Sequence, residues 1–530
     1  MGVGRGGPVE RATGRSRRER KLKSPGRYGP GSGRDRSVKG AVASGHPLST
    51  AVGEAILERG GNAYDAAVAT SAALTVVQPH ANGLGADFFA VVDDRDVRSV
   101  NGSGWAAAEA TPAAFRARGL SAVPTSGPLS AFTVPGLVAS WTLLLPRTSL
   151  PFDDLLAPAV RLAREGFPAT PSLVRSARST LDHADEDFRA VYSGLVPHAP
   201  LRQPDLARTL EAVGRDEGHS FYHGDIARAI DEEMRRKGGL LRRQDLDGFR
   251  AEWTAPLKVR YRGHDVYTTP PNSQGATALI WLNLLAAHDL ATVEPAEYVA
   301  ALVRTMPVAY AYRARHIGDP RSVAFPAELL RPTYPYAPAT PAGAPSSGAG
   351  DTTAFSVTDG TVGVSAIQSN FMGFGSGLTV RGTGINLNNR GSYFTLDPSH
   401  HNVVGPGRRT FHTLMAVVAK GSDDTLLLGT MGGDVQPQVN VQVLTRVLDR
   451  RVGVSEAISA PRFAWPATIY GSAELYAEVE LGLSGARAVR GERDLFGHAH
   501  AVRFGNRLEV GIDPRGDGQV GAGGRSVSRS

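Results

Sequence analysis

Two hydrophobic periods alternate along this chain and divide it into strands and helices. Ala354-Phe355-Ser356-Val357-Thr358 switches side chain by side chain, the signature of a strand. Phe88 to Asp93, Val362 to Ile367, Leu378 to Val380, Leu414 to Ala419 and Leu426 to Leu428 are further strand-like runs. Lys39 to Gly45 reads as a strand entering a turn. Helical spacing predicts helices over His46 to Ile56 and over the Ala-rich Asn62 to Val76, with Gly60-Gly61 ending the first. Residues 150–250 are mostly helical, with apolar steps at Leu155, Val160 and Leu162. Further helices are expected at Ala276 to Ala287, Val439 to Asp449 and Ser455 to Ser459. Strands and helices in both halves predict a layered α/β body.

The 530 residues allow a large core, and 41% hydrophobic content suits a water-soluble chain. The net charge of +7 is concentrated at one end. Residues 1–37 hold 11 Lys/Arg and 3 Asp/Glu, leaving 47 basic and 48 acidic groups for the rest. The Gly/Arg-rich tail is expected to be disordered, and the near-neutral body offers no footprint for nucleic acid. No apolar run reaches about 18 residues and the tail has no apolar signal segment, so no membrane span is expected and a cytoplasmic location is the default. Cysteine is absent, which excludes disulfides, a Cys nucleophile and thiolate metal sites. The last residues, 513–530, are Gly/Ser/Arg-rich and read as a flexible tail.

The chemistry concentrates at Asp351-Thr352-Thr353. Upstream, Ala337 to Gly350 has the composition of a mobile loop, without charge. Downstream lies the alternating strand. Were the bond before Thr352 cut, Thr352 would start a chain on a rigid strand. Its α-amine, with a reference pKa of about 7.7–8.0, could then take the proton of its own hydroxyl. The second feature is Gly429-Thr-Met-Gly432-Gly433-Asp434, after an apolar strand. Paired glycines let backbone N–H groups approach one point, as stabilising an oxyanion requires, although a plain strand-to-helix turn reads the same way. The Gly-rich turns at Phe374 to Gly377 and Arg381 to Gly384 lack nucleotide-binding spacing. His46, His80 and His412 are scattered without metal-ligand spacing, so neither cofactor nor metal is expected. No Gly-x-Ser-x-Gly elbow is present.

Eight segments then fall in a telling order: Ala43 to Thr50, Gly60 to Ala67, Pro79 to Gly85, Pro270 to Gly275, Asp351 to Val357, Leu387 to Gly391, Gly429 to Asp434 and Ala460 to Phe463. Together they resemble the γ-glutamyltransferase (glutathione hydrolase) family of the N-terminal nucleophile hydrolases, from about Gly40 to about Arg462. The resemblance implies a four-layer αββα sandwich. It implies a precursor cut before Thr352 into a large-subunit region (38–351) and a small-subunit region (352–512) that stay associated. Thr352 would then attack a γ-glutamyl-type amide while the Gly432 and Gly433 amides hold the oxyanion. A second hydroxyl supports the nucleophile in this family; Ser369 is the candidate, with Thr353 as the alternative.

Some family positions are changed. Asn101-Gly-Ser-Gly-Trp105 lacks the Arg expected to meet the substrate α-carboxylate, and Asn388-Asn-Arg390-Gly-Ser-Tyr393 lacks the Asp expected to hold the α-ammonium. His412-Thr413 replaces a Ser pair. These changes count against glutathione itself and point to the γ-glutamyltransferase-like, acylase-like branch. Arg390, Tyr393, His412 and Thr413 become the candidate substrate contacts, with Arg390 gripping a carboxylate or, alternatively, closing a structural ion pair. Two other readings stay open: a cephalosporin- or glutaryl-type acylase, and a catalytically silent binding protein.

Overall fold

A computed structural model describes residues 1–2, 40–338, 350–465, 474–491 and 493–518. The basic tail beyond Gly2, most of the loop expected before Gly350, and residues 519–530 lie outside the described residues.

Twelve strands form the two large sheets. They are β1 (Ala41–Ser44), β2 (Asp87–Asp93), β3 (Val97–Gly102), β4 (Glu252–Thr254), β5 (Leu257–Tyr261), β6 (His264–Thr268), β7 (Gly350–Thr358), β8 (Gly363–Met372), β9 (Ala416–Lys420), β10 (Asp424–Thr430), β11 (Ala499–Gly505) and β12 (Glu509–Ile512). The first sheet runs β1-β7-β8-β2-β3-β4 and the second β12-β11-β10-β9-β6-β5, with every pairing antiparallel. On the first sheet pack α1 (Pro47–Glu58) and α2 (Ala63–Val77), with α3 (Phe152–Glu165) and α4 (Pro204–Arg215) outside them. On the second pack α5 (Ala276–Leu285), α6 (Pro295–His316), α7 (Gln436–Leu448) and α8 (Val454–Ser459).

The strands are apolar on both faces because both are covered. Along β2, Phe88, Ala90 and Val92 enter the core under the first helices, while Phe89 and Val91 enter the layer between the sheets. Leu426 and Leu428 of β10 face the second helix layer and Leu427 faces the inter-sheet layer. Three apolar layers between four layers of secondary structure make the αββα sandwich. Local signals start the helices where the sequence places them. Asn62 Oδ1 accepts from the Asp65 N–H (3.0 Å) while Asp65 Oδ2 accepts from the Asn62 N–H (2.7 Å), a reciprocal cap on α2. Among the described residues no helix is long and apolar enough to cross a membrane.

The C-terminal boundary differs from the sequence reading. Asp513 is fully buried, 2.7 Å from Arg462 Nη2 and 3.1 Å from Arg515 Nη1, and accepts from the Ala499 N–H at 2.8 Å. The body therefore continues to residue 518, anchored by charge rather than by apolar side chains. Burial opposes the Asp513 charge, but Arg462 and Arg515 outweigh it and hold the carboxyl at about 2. A carboxyl depressed in the folded state adds stability above its unfolded pKa of about 3.9, and that stability is lost as pH falls toward 2. Asp513→Ala leaves the buried Arg462 without a carboxylate, while Arg515 keeps Glu478, and is expected to cost about 3–5 kcal/mol, read as a lower denaturant midpoint at pH 7. The gap to wild type should narrow as the pH falls below 4.

Candidate active site

Thr352 is the third residue of β7. Strand alternation puts it on the face of Ala354, toward the inter-sheet layer, and puts Thr353 on the opposite face with Phe355. The partner strand then slips. Thr353 pairs with Gln368 but Asp351 pairs with Phe371, so Ser369 and Asn370 together oppose Thr352. This β-bulge re-aims Ser369 onto the nucleophile candidate. Thr352 Oγ1 donates to Ser369 Oγ (3.1 Å), and Ser369 Oγ donates to the Asp351 carbonyl oxygen (2.7 Å). The Phe371 N–H donates to the same Ser369 oxygen at 2.7 Å. Phe371 has φ +84°, costly for a non-glycine residue and the kind of strain that gathers at functional sites. Thr353, the other hydroxyl candidate, has its Oγ1 buried without a hydrogen-bond partner beside Gly45, on the wrong face to reach Thr352. Thr352 is 5% exposed in the uncut chain, where Gly350 and Asp351 continue its strand. Burial pushes the Asp351 carboxyl up; its Oδ2 accepts from Ser176 Oγ at 3.2 Å.

The glycine pair joins β10 to α7 and lies against β7. Gly432 and Gly433 have φ +123° and +54°. A Cβ on Gly432 would sit 2.7 Å from Val435 Cγ2, so glycine is required there. The Met431 carbonyl accepts from Thr430 Oγ1 (2.8 Å) and the Gly432 carbonyl from the Val435 N–H (3.0 Å). In a planar peptide C=O and N–H point opposite ways, so these bonds fix the directions of the Gly432 and Gly433 amides. The Gly433 carbonyl accepts from Gln274 Nε2 at 2.9 Å, and the same nitrogen holds the Thr413 carbonyl at 2.6 Å. Arg313 Nη1 locks Gln274 Oε1 (2.8 Å) and Asp434 Oδ1 (2.5 Å), while Tyr310 OH holds the Asp434 carbonyl (2.6 Å). The turn is thus clamped before any substrate arrives, as electrostatic stabilisation of an oxyanion demands.

The remaining four candidates also converge. Arg390 is 0% exposed and opens a short helical turn (Arg390–Tyr393). Its guanidinium lies 4.3 Å from the centre of the Phe371 ring and 5.6 Å from that of Tyr393. Nη1 donates to Thr413 Oγ1 at 3.1 Å, Nε lies 3.5 Å from Asp87 Oδ2, and Nη2 is buried with no partner. Arg390 thus makes the structural ion pair with Asp87 that the sequence offered as an alternative, while its Nη2 is left without a partner. Asp87 Oδ1 accepts from the Gly104 N–H (3.0 Å) and Oδ2 from His412 Nε2 (3.0 Å). His412 Nδ1 accepts from the Leu414 N–H (3.1 Å), which puts the ring proton on Nε2. Burial, and then the Arg390 charge, drive His412 down to about 4, so it is neutral at pH 7. Tyr393 OH reaches Asp434 Oδ2 at 3.4 Å, tying this group to the glycine turn.

Sequence reasoning missed Asp87, Gln274, Arg313 and Asp434 as supports. Gln274 and Asp434 stand inside two of the eight recognisable segments, which was the available signal. Among the described residues one carboxylate group has metal-ligand spacing, Asp185, Asp187 and Glu233. Lys237 and Arg236 already ion-pair with these carboxylates.

Residues 49–523 match the protein family described as Gamma-glutamyltranspeptidase. The chain is 37% identical over 517 residues to the glutathione hydrolase-like YwrD proenzyme of Bacillus subtilis (strain 168), covering 91% of this chain and 98% of that protein. It is 33% identical over 527 residues to the oxamate amidohydrolase proenzyme of Klebsiella pneumoniae, with coverage of 91% and 98%. Among solved structures, the cephalosporin acylase from Bacillus halodurans superposes with a TM-score of 0.83 at 32% identity, covering 94% of this chain and 98% of that one. With its sandwich and its buried strand-borne threonine, this chain belongs to the γ-glutamyltranspeptidase family of N-terminal nucleophile hydrolases.

Proposed function

We propose that the protein is a proenzyme that cuts itself between Asp351 and Thr352 and then cleaves or transfers γ-glutamyl-type acyl groups through an ester on Thr352. One observation carries this reading: a single hydroxyl, Ser369, accepts from the Thr352 oxygen and donates to the carbonyl of the bond to be cut. In the cut, Thr352 Oγ adds to the Asp351 carbonyl carbon. Its proton passes to Ser369 while the Ser369 proton passes to the carbonyl oxygen. The C–N bond breaks as the proton on the former carbonyl oxygen passes to the Thr352 nitrogen, which becomes the free α-amine, and water hydrolyses the resulting ester to free the Asp351 α-carboxylate and the Thr352 hydroxyl. In turnover that amine takes the hydroxyl proton, the oxygen attacks the substrate acyl carbon, and the Gly432 and Gly433 amides hold the oxyanion. The leaving amine departs with the proton, and water or a second amine releases the acyl group. The relatives' names as proenzymes support a maturation step.

The topology supports association of the two products. In the first sheet β7 and β8, from the small-subunit region, lie between β1 and β2 of the large-subunit region. In the second, β12, β11, β10 and β9 of the small-subunit region continue into β6 and β5 of the large. One cut peptide leaves both sheets intact.

Mass spectrometry of the purified protein tests the reading. Two chains, the second starting at Thr352, are expected; one intact chain overturns it. Ser369→Ala is expected to slow the cut by about 100-fold or more, because the proton relay between nucleophile and carbonyl is removed. A time course of band conversion on a denaturing gel measures this.

A further inference from the structure

We propose that Gln368 is a positioning residue for maturation: its side-chain amide pins the strand register that brings Ser369 to Thr352. The role rests on the self-processing reading and adds the group that aims its second hydroxyl. Gln368 is the last regularly paired residue of β8 before the bulge, opposite Thr353. Ser369 follows it on one strand, and Thr352 precedes Thr353 on the other. Both reacting hydroxyls therefore stand one residue beyond this pair.

Gln368 lies on the helix-facing side of β8, in line with the apolar Val364 and Ala366, and is 0% exposed. An apolar side chain would suit that face. Instead an amide stands there with both polar atoms engaged. Its Oε1 accepts from Ser71 Oγ of α2 (2.5 Å), and Ser71 Oγ accepts in turn from Trp141 Nε1 (2.8 Å) on the helix Leu137–Leu144. Its Nε2 donates to Asn82 Oδ1 (2.6 Å) and to the Ser71 carbonyl oxygen (3.1 Å). Asn82 Nδ2 donates to the carbonyls of Leu74 (3.1 Å) and Gln78 (3.0 Å), so the network ends on the C-terminal turn of α2. The far side of the bulge is tied to the same loop by main chain: the Asn370 N–H donates to the Ala81 carbonyl (3.1 Å) and the Phe374 N–H to the His80 carbonyl (2.8 Å). The Asn370 side chain has neither polar atom engaged. Of the two amides at the slip, Gln368 is the anchored one.

A register error would break this network. Sliding β8 by one residue would turn Gln368 into the apolar layer between the sheets, where Ile367 packs, and strip the amide of its partners. Sliding by two would keep the face but carry the amide about 7 Å from Ser71 and Asn82. A satisfied buried polar network thus favours one register over its neighbours. That register sets Ser369 Oγ 3.1 Å from Thr352 Oγ1.

Gln368→Met tests this, because it keeps the side-chain length and removes both polar atoms. Conversion to two bands is expected to slow by at least about 10-fold, within the roughly 100-fold that a displacement of about 1 Å can cost. In a Ser369→Ala background the same substitution is expected to add less than about 2-fold, whereas a merely structural role would slow both backgrounds alike. Ser71→Ala removes one bond of the network from α2, should slow the cut by a smaller factor, and replaces Gln368→Met if that variant does not fold. Hydrogen exchange is followed in Thr352→Ala, which keeps the chain uncut. Adding Gln368→Met is expected to quicken exchange over residues 366–374 and to leave α7 unchanged. Wild-type cutting rates in both variants overturn the proposal, as does equal slowing with and without Ser369. If Ser369→Ala cuts too slowly to time, exchange decides, and no change over 366–374 rejects the role. An uncut wild-type chain rejects the self-processing reading itself, and exchange in that chain then decides the register separately.

Discussion

Thr352→Ala is expected to yield one uncut chain of 55.9 kDa with no measurable amide turnover. Both losses have one cause. The oxygen that lies 3.1 Å from Ser369 is the only atom of this residue that can add to the Asp351 carbonyl, and it is also the atom that would carry the acyl group afterwards. The fold should survive, because Thr352 contributes one small side chain to the inter-sheet face and the strand pairing around it is main-chain. Thr352→Ser keeps an oxygen on the same strand and should still cut and turn over at reduced rate. A denaturing gel and an anilide assay on both variants decide the matter. Two bands from Thr352→Ala would show that another group breaks the chain.

Gly432→Ala should separate the two activities. The substitution puts a Cβ 2.7 Å from Val435 at φ +123°, a conformation an alanine resists, so the turn must shift and its aligned amides with it. Losing one oxyanion donor costs about 2.7–4 kcal/mol, roughly 100- to 1,000-fold in kcat. Cutting should persist, because the Asp351 carbonyl is held by Ser369 rather than by the glycine pair. The expected protein is fully processed on a gel and nearly inert toward substrate. Loss of processing together with turnover would show that one donor set serves both steps.

Much of this was legible in the sequence, for identifiable reasons. A continuous apolar run such as Leu426-Leu427-Leu428 marks a strand buried on both faces, and Asn62 with Asp65 marks a helix start. Thr352 was readable because a strand begins where a loop-like composition ends. Other features were not. Helix α6 carries Pro307 in its interior and its apolar residues do not form one clean stripe, so no helix is read there. Strand β11 contains His500 and Arg503 and hides among polar residues. Residues 513–518 look like a tail because their anchor is an ion pair. The choice between Thr353 and Ser369 turned on a register slip at residues 369–370, which residue types do not encode. Asp87 and Arg313 act through contacts made by distant segments, with no local motif to mark them.

The bulged serine has a consequence beyond the first scission. Its lone hydrogen is committed to the Asp351 carbonyl in the newborn chain. When that carbonyl departs as part of a free carboxyl terminus, the hydrogen is released beside a fresh amine and an alcohol. On the proposed mechanism, the hydroxyl that relays the proton of maturation is thus left within reach of the new terminus.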